Sequence, residues 1–287
     1  MQSSNSLIKN QYYQPELFED ILKRLNENEV DINNVSRMDI AGVDEFHVRG
    51  AEVSYELVQE IYHNNAKVLD VGCALGGPSR MLADEYNCEV TGIDICNEYI
   101  RTAKKLSELV GLIDKTKFIQ ADALDLPFED GSFDIVWTQH VQMNIQDKKK
   151  FYSEISRVLT DEGVLIYYDI FQKNKESIIY PVLWANNASL SFLETITVVN
   201  ALLLELGFKK LQSTDQTYKA KQFLNNLFEK IKKYGPPKLG LNVLMGNSTK
   251  KKLGNILEGL ENNKIELQSG IYRKKSFFET NNLSAKN

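Results

Sequence analysis

Residues whose types and order could bind a nucleoside are concentrated in the first half of the chain. In the segment Val68–Pro78, Asp70 ends an apolar run and a glycine-rich stretch follows. Glycine lets a backbone approach a ligand where a Cβ would intrude. We therefore expect Gly72, Ala74 and Gly76 to form a turn that contacts a ligand, with Asp70 at the tip of the preceding strand as a further ligand-binding residue.

Two further acidic residues follow the next two apolar runs. Asp94 and Ile95 stand after the second run, where a carboxylate can accept hydrogen bonds from both hydroxyls of a ribose. Asp122 and Ala123 stand after the third run, where an acidic side chain can reach the amino group of an adenine. The spacing predicts an adenosine-containing ligand.

The glycines alone leave two cofactors open. The nicotinamide dinucleotide fingerprint requires three glycines, and Gly72, Ala74 and Gly77 supply two of them and one small residue. The acidic-x-Gly-x-Gly-x-Gly pattern of S-adenosylmethionine sites is interrupted at Ala74 as well. Asp70 favours S-adenosylmethionine, because a carboxylate there attracts the ammonium group of a methionine moiety and would repel a pyrophosphate. We predict S-adenosylmethionine as the cofactor and no metal ion.

These residues need a parallel sheet to bring them together. The apolar pattern predicts a helix from Asn97 to Gly111, with Asn97 as its cap, and another at Lys149–Leu159. Alternating strands and helices are typical of an α/β fold with helices on both faces, which binds ligands at the carboxyl ends of its strands. The predicted strands are Lys67–Val71, Glu89–Asp94, Lys117–Gln120, Phe133–Thr138 and Val164–Phe171.

Segments on either side of this core predict further elements. Helices are expected around Leu17–Leu25 and at Ala51–Tyr62 before it. After it we expect a helix at Leu190–Leu206, a strand at Lys209–Thr214, a helix at Tyr218–Tyr234, the segment Leu239–Leu260 and a strand at Ile265–Ser276. We predict a helical lid over residues 1–62, a cofactor-binding core over 63–175, a C-terminal part of the same domain with an acceptor-side insertion over 176–280, and a polar tail at 281–287.

From Lys67 to Phe171 the chain resembles class I S-adenosylmethionine-dependent methyltransferases. The motifs are Asp70–Gly77, Asp94, Asp122–Ala123 and Gly131–Val136, in the usual order and spacing. The resemblance implies a Rossmann-like, seven-stranded, mostly parallel sheet with the cofactor across the carboxyl ends of its first strands. A nicotinamide-dependent oxidoreductase and a non-catalytic cofactor-binding module are the alternatives.

A narrower resemblance extends over nearly the whole chain. It is to the sarcosine/dimethylglycine N-methyltransferases, which methylate glycine derivatives on the way to glycine betaine. The residues that carry it are Asp44–His47, Thr138–Ile145, Tyr167–Phe171, Tyr180–Ala185 and Leu239–Gly246. The resemblance implies N-methylation of sarcosine or dimethylglycine, with a natural-product or phosphobase acceptor as the alternative.

The segments that carry the narrower resemblance also supply the candidate residues around the methyl acceptor. Gln139 ends the fourth strand and is expected at the cofactor, and His140 and His47 are the candidate bases. Tyr180 and Trp184 would line an ammonium site through cation–π contacts, although packing in the core explains both equally well. The predicted substrate-binding residues are Met143, Asn144, Tyr180, Trp184 and Arg49.

The composition of the chain limits the classes of partner and the cellular compartment that we expect. The net charge of -5 gives no basic surface for nucleic acid. Val198–Leu206, the longest apolar stretch, is shorter than the about 20 residues that cross a bilayer. Met1–Gln11 lacks the apolar block of a signal peptide, and three cysteines indicate no disulfide framework. We expect a cytoplasmic monomer or homodimer that acts on a small-molecule amine.

Overall fold

The computed structural model describes residues 11–12, 14–59 and 65–276, and a seven-stranded sheet lies at its centre. The strand order is β3-β2-β1-β4-β5-β7-β6. The strands are β1 (Lys67–Val71), β2 (Glu89–Asp94), β3 (Thr116–Gln120), β4 (Phe133–Gln139), β5 (Leu159–Gln172), β6 (Phe208–Asp215) and β7 (Ile265–Lys274).

The directions of the strands determine at which edge of the sheet a ligand can bind. Strands β1 to β5 pair in parallel, and β7 runs antiparallel to both β5 and β6. The carboxyl ends of β1, β2, β3 and β4 therefore meet at the same edge. The predicted fold class, a Rossmann-like and mostly parallel seven-stranded sheet, is confirmed.

Helices cover both faces of the sheet. Because side chains alternate along a strand, Val68 and Trp137 belong to the core on one face, while Leu69 and Val136 belong to the core on the other. The helices are α1 (Leu17–Glu27), α2 (Arg37–Asp44), α3 (Ala51–Gln59), α4 (Gly77–Glu85), α5 (Asn97–Leu109), α6 (Lys148–Val158), α7 (Ile196–Glu205), α8 (Thr217–Tyr234), α9 (Leu241–Met245) and α10 (Thr249–Glu261).

Two helix starts differ from the prediction. Cys96, not Asn97, is the residue before α5, and its backbone N–H donates to Asp94 Oδ1 at 2.8 Å, so a side chain two residues earlier replaces the expected cap. Helix α7 begins at Ile196 instead of Leu190, because Thr195 caps it by accepting from the Val198 N–H. The end of the helix predicted at Ala51–Tyr62, the first ten residues and the tail lie outside the described residues.

A buried ion pair joins the helices before β1 to α4, which packs on the sheet. Arg80 Nη2 in α4 lies 2.7 Å from Asp44 Oδ2 at the end of α2, and both side chains are buried. Breaking one partner of such a pair typically costs about 3–5 kcal/mol, because the other charge stays buried alone. Helix α1 packs its buried face of Leu17, Ile21 and Leu25 against α5 and α9.

Helices α8, α9 and α10 form an insertion between two strands of the same sheet. They connect β6 to β7, and both α8 and α10 pack against β7. Helix α9 contacts α1 and α2, so the insertion meets the N-terminal helices on one side of the sheet. No helix in the described ranges combines the length and the hydropathy that a membrane span needs.

Candidate active site

A cleft opens at the carboxyl edge where β1, β2, β3 and β4 end. It encloses about 110 Å³ and is partly open to solvent. Nine of the residues predicted to act in binding or catalysis line it: Gly72, Ala74, Asp94, Ile95, Asp122, Ala123, Gln139, His140 and Asn144.

The turn after β1 is held against β2. The backbone N–H groups of Gly72 and Cys73 both donate to the carbonyl oxygen of Ile93, at 2.8 and 2.9 Å. Gly72 has a φ of 72°, and a Cβ there would lie 2.3 Å from a methyl group of Val141. Only glycine fits this position, which leaves the backbone of the turn exposed to the cleft.

Asp94 has the geometry expected of a ribose ligand. Its Oδ2 accepts from the Ala74 N–H at 3.1 Å and its Oδ1 from the Cys96 N–H at 2.8 Å. These bonds fix the carboxylate and leave further lone pairs on each oxygen for a pair of hydroxyl donors. Burial raises the pKa of Asp94 to about 6, and the two backbone donors oppose that rise.

Asp122 lines the cleft on the β3 side. Its Oδ1 accepts from the Leu124 N–H at 2.9 Å, which closes a tight turn with Ala123 at its centre. The ribose and adenine positions predicted from the sequence thus face one cavity in the expected order along the sheet edge.

Asp70 and Gly76 lie beneath the turn instead of in the cleft. Asp70 is buried, its Oδ2 accepts from the Ser79 hydroxyl at 2.6 Å, and burial raises its pKa to about 7. A Cβ on Gly76, where φ is 80°, would lie 2.6 Å from the Phe118 ring. Both residues shape the turn through packing, so their predicted direct contact with the cofactor is not what the structure shows.

His140 follows β4 with its backbone in the left-handed region, at a φ of 54°. Among the described residues its buried Nε2 has no hydrogen-bond partner. Burial, with His47 nearby, lowers the pKa of His140 well below its usual value. The imidazole is therefore neutral, and its ring lines the cleft while Nε2 is buried.

His47 stands behind this cleft and does not line it. Its Nε2 lies 2.9 Å from the carbonyl oxygen of Gly50, which can only accept, so Nε2 carries a hydrogen. Burial lowers the pKa of His47 to about 4. Gln139 separates the two histidines, because its amide lies 3.3 Å from His47 Nε2 and also lines the cleft. His47 is therefore a neutral wall residue, one side chain removed from the predicted position of the reaction.

Asn144 reaches the cleft with its amide already occupied. Its Nδ2 donates to the carbonyl oxygens of Trp184 and Leu190, and its Oδ1 accepts from the Tyr12 hydroxyl at 3.1 Å. These bonds fasten the segment after β5 and the N-terminal segment to the end of β4. Asn144 thus builds the cleft and has little capacity left for a substrate.

Four predicted substrate residues lie outside the cleft. Met143 and Trp184 are buried in the core, and Trp184 Nε1 donates to Ser191 Oγ. Tyr180 is half-buried against the same core. Arg49 is buried and its guanidinium is bound by Glu52, Glu56 and Gln216. The cation–π and carboxylate-binding roles expected of these residues are not supported, because core packing and ion pairing occupy them.

Aromatic residues that the sequence did not single out form the wall facing Asp94. The Tyr12 ring lies 6.2 Å from that of Phe46 and 5.9 Å from that of Tyr99, between centroids, and all three line the cleft. The Tyr99 hydroxyl is buried without a hydrogen-bond partner in the part of the chain described. Tyr99 lies on α5, whereas Tyr12 and Phe46 come from distant segments, so no local pattern identifies this wall.

Comparison with known proteins supports one family. Residues 69–167 match the family described as "Methyltransferase domain". The tocopherol O-methyltransferase of Arabidopsis thaliana chloroplasts is 43% identical over 100 residues, covering 35% of this chain and 29% of that protein. The sarcosine/dimethylglycine N-methyltransferase of Halorhodospira halochloris is 29% identical over 153 residues, covering 53% of this chain and 54% of that protein. The matched stretch thus spans about a third to a half of these relatives.

A solved structure has the same fold over nearly the whole chain. The phosphoethanolamine N-methyltransferase 2 of Haemonchus contortus, in complex with S-adenosyl-L-methionine, aligns with a TM-score of 0.75 at 16% identity. The alignment covers 96% of this chain and 61% of that one. S-adenosylmethionine, the cofactor predicted from the sequence, is the cofactor bound in that structure. The match of residues 69–167 to a methyltransferase domain confirms the broader resemblance, that to class I S-adenosylmethionine-dependent methyltransferases.

Proposed function

We propose that the protein transfers a methyl group from S-adenosylmethionine to a nucleophilic atom of a small molecule. One observation carries the proposal: Asp94 and Asp122, placed for an adenosine, share a cleft with His140, whose buried Nε2 has no hydrogen-bond partner among the described residues. Bound S-adenosylmethionine supplies an activated methyl group on its sulfonium. The protein has to hold this cofactor, orient a nucleophile in line with the methyl group and exclude water.

The chain's residues meet these requirements in different ways. Asp94 is fixed by two backbone donors and binds the ribose, while Gly72 gives the methionine end access to the backbone. The walls of Tyr12, Phe46 and Tyr99 exclude water. His140 Nε2 is the atom that would accept a proton from a secondary amine or a hydroxyl after attack.

An amine acceptor agrees with the electrostatics of the cleft. An alkylamine titrates near about 10.4 in water, yet it must be neutral to attack. Aromatic walls disfavour the ammonium form through desolvation, and a neutral His140 adds no positive charge. A tertiary amine that is neutral when it attacks needs no proton removed after attack.

Sarcosine and dimethylglycine are the first acceptors to test, since one relative is a methyltransferase of that name. Among the described residues no lysine or arginine lines the cleft, and Arg49 is held by Glu52 and Glu56. A substrate carboxylate would therefore bind through neutral hydrogen-bond donors. The side-chain amide of Gln139, which lines the cleft, is one candidate. A phosphobase or a natural product is the alternative acceptor.

Mass spectrometry of reactions with methyl-labelled S-adenosylmethionine tests the proposal. Sarcosine, dimethylglycine, phosphoethanolamine and a panel of larger amines and phenols serve as acceptors, and calorimetry with S-adenosylhomocysteine verifies cofactor binding. Labelled product from any acceptor supports methyl transfer. Tight binding of a nicotinamide dinucleotide with none of S-adenosylhomocysteine would refute it, as would saturated cofactor binding without product from the whole panel.

A further inference from the structure

A second, larger cavity lies on the far side of His47. It encloses about 860 Å³ between the N-terminal helices α1 and α2 and the insertion α8–α10. Its walls are mostly apolar, and several of the side chains are only half-buried because they face this space. The apolar side chains that define it are Phe223, Leu227, Ile231, Leu239, Leu241 and Leu253.

The floor of this cavity is polar and adjoins the cofactor cleft. Glu45 and His47 line it, and both are buried. The Ser54 hydroxyl joins them to the cleft, because it lies 3.2 Å from Glu45 Oε2 and 3.3 Å from Gln139 Oε1. One layer of side chains, His47 and Gln139, therefore separates the two cavities.

The volume of this cavity indicates the size of the ligand that it can bind. Pockets of roughly 300–1,000 Å³ enclose drug-sized ligands, with apolar walls for most of the ligand and a few polar groups that orient it. A glycine derivative would leave most of a space of about 860 Å³ empty. The buried polar groups Glu45 and His47 stand on the side toward His140, whose ring centroid lies 6.1 Å from that of His47. The other polar lining residues come from α1 and from the insertion: Arg24, Asn242, Asn247, Thr249 and Lys250.

We propose that this cavity binds the apolar body of the methyl acceptor, which is an amphipathic small molecule with a hydrocarbon or aromatic body. The nucleophilic head lies against the wall of His47 and Gln139, which contact each other at 3.3 Å and have to part for the head to reach the cofactor cleft. The body lies along α8 and α9. This inference rests on the proposed methyl transfer and adds the class of acceptor.

Filling the cavity is the direct test. Leu227→Trp and Ile231→Trp replace half-buried wall residues of α8 with larger ones, so the added bulk enters the empty space. Leu204→Trp is the control, because Leu204 is exposed on α7 and does not line the cavity. N-methylalkylamines and 4-alkylphenols with chains of increasing length are the probes. Their binding is measured by calorimetry with S-adenosylhomocysteine saturating.

Affinity is expected to rise about threefold to fourfold for each methylene that the cavity buries. Both filling variants should lose at least about tenfold in affinity for the longest probes, which is the loss of two such methylenes. Their affinity for S-adenosylhomocysteine should stay within twofold of wild type, as should both affinities of Leu204→Trp. Methyl transfer should increase with chain length in parallel with binding.

Two results would overturn the inference while leaving methyl transfer intact. One is efficient methylation of sarcosine or dimethylglycine with no dependence of probe binding on chain length. The other is undiminished binding of long probes to both filling variants. Length-dependent binding without methylation of any acceptor would instead refute the proposed function, and with it the assignment of this cavity to a methyl acceptor.

Discussion

His140 is stacked on Tyr168, with ring centroids 5.0 Å apart and 23° between the ring planes. The His140 N–H also donates to the Tyr168 carbonyl oxygen at 2.8 Å, which continues the pairing of β4 with β5 past Gln139. Left-handed backbone is uncommon outside glycine, and histidine, asparagine and aspartate adopt it most readily. Strand pairing and stacking together hold the imidazole at the end of β4, where the residue lines the cleft.

His140→Asn should separate catalysis from cofactor binding. Asparagine tolerates the same backbone conformation but removes the imidazole, so the fold and the affinity for S-adenosylhomocysteine should be retained. With a secondary amine or phenol, kcat should fall by about 100-fold or more, the usual effect of removing a general base. Steady-state kinetics and calorimetry on the same preparation measure both quantities.

A tertiary amine is the control acceptor for His140→Asn, because it loses no proton on methylation. The kcat of the variant with dimethylglycine should fall far less than with sarcosine. Equal losses for both acceptors would indicate that His140 positions the substrate without accepting a proton.

Asp94→Ala should weaken cofactor binding by about 1.5–3 kcal/mol, the range for hydrogen bonds to a charged group. The variant also loses the acceptors for the Ala74 and Cys96 N–H groups, so a small drop in thermal stability is expected. Calorimetry with S-adenosylhomocysteine measures the affinity. Asp134→Ala, at an exposed carboxylate that bonds the Lys67 N–H far from the cleft, is the control and should bind the cofactor normally.

Gly76→Ala should destabilise the fold more than Gly111→Ala does. Both glycines have a positive φ, 80° and 71°, but a Cβ on Gly76 would strike the Phe118 ring and one on Gly111 would meet nothing within 4 Å. The difference in free energy of unfolding should be about 1–3 kcal/mol, the usual cost of overpacking a core. Urea denaturation of the two variants measures it, and equal destabilisation would mean that strain in the backbone explains both.

The contrast between Gly72 and Gly76 shows how far sequence predicts the site. Spacing placed both in the turn, and the alternation of apolar runs placed the turn at the carboxyl edge, because strand period and direction are local properties. Which glycine faces a ligand and which faces Phe118 depends on how α4 packs on β3, and no local pattern specifies that packing.

Arg49 and Trp184 illustrate the same limit on the acceptor side. Arg49 looked available for a substrate carboxylate, but Glu52 and Glu56, one and two turns along α3, bind it. Trp184 has a side chain suited to an ammonium ion, yet its ring is buried and its carbonyl oxygen accepts from the Asn144 amide. Residue type predicts what a side chain can bind, whereas its tertiary neighbours decide what it does bind.

Glu45→Gln should change how stability depends on pH. Burial, followed by the nearby Asp44 carboxylate, raises the pKa of Glu45 from 4.5 to about 8. Between these values the native state holds a proton that the unfolded state has released. The contribution of Glu45 to stability is therefore fully present below about pH 4.5 and is lost as the pH rises through 8. Glutamine keeps the shape of the protonated side chain and does not titrate.

Wild type should thus lose stability relative to Glu45→Gln as the pH rises from 5 to 8.5, by about 1–3 kcal/mol. Groups that both proteins share and that do not interact with Glu45, such as Asp169, cancel in the difference, and His47, with a pKa of about 4, stays neutral throughout this window. Urea denaturation at the two pH values measures the effect, with Glu129→Gln at an exposed site as the control. A constant difference between wild type and Glu45→Gln would show that Glu45 ionises in the folded protein as it does in the unfolded chain, and that the polar floor beside His47 carries a charge at neutral pH.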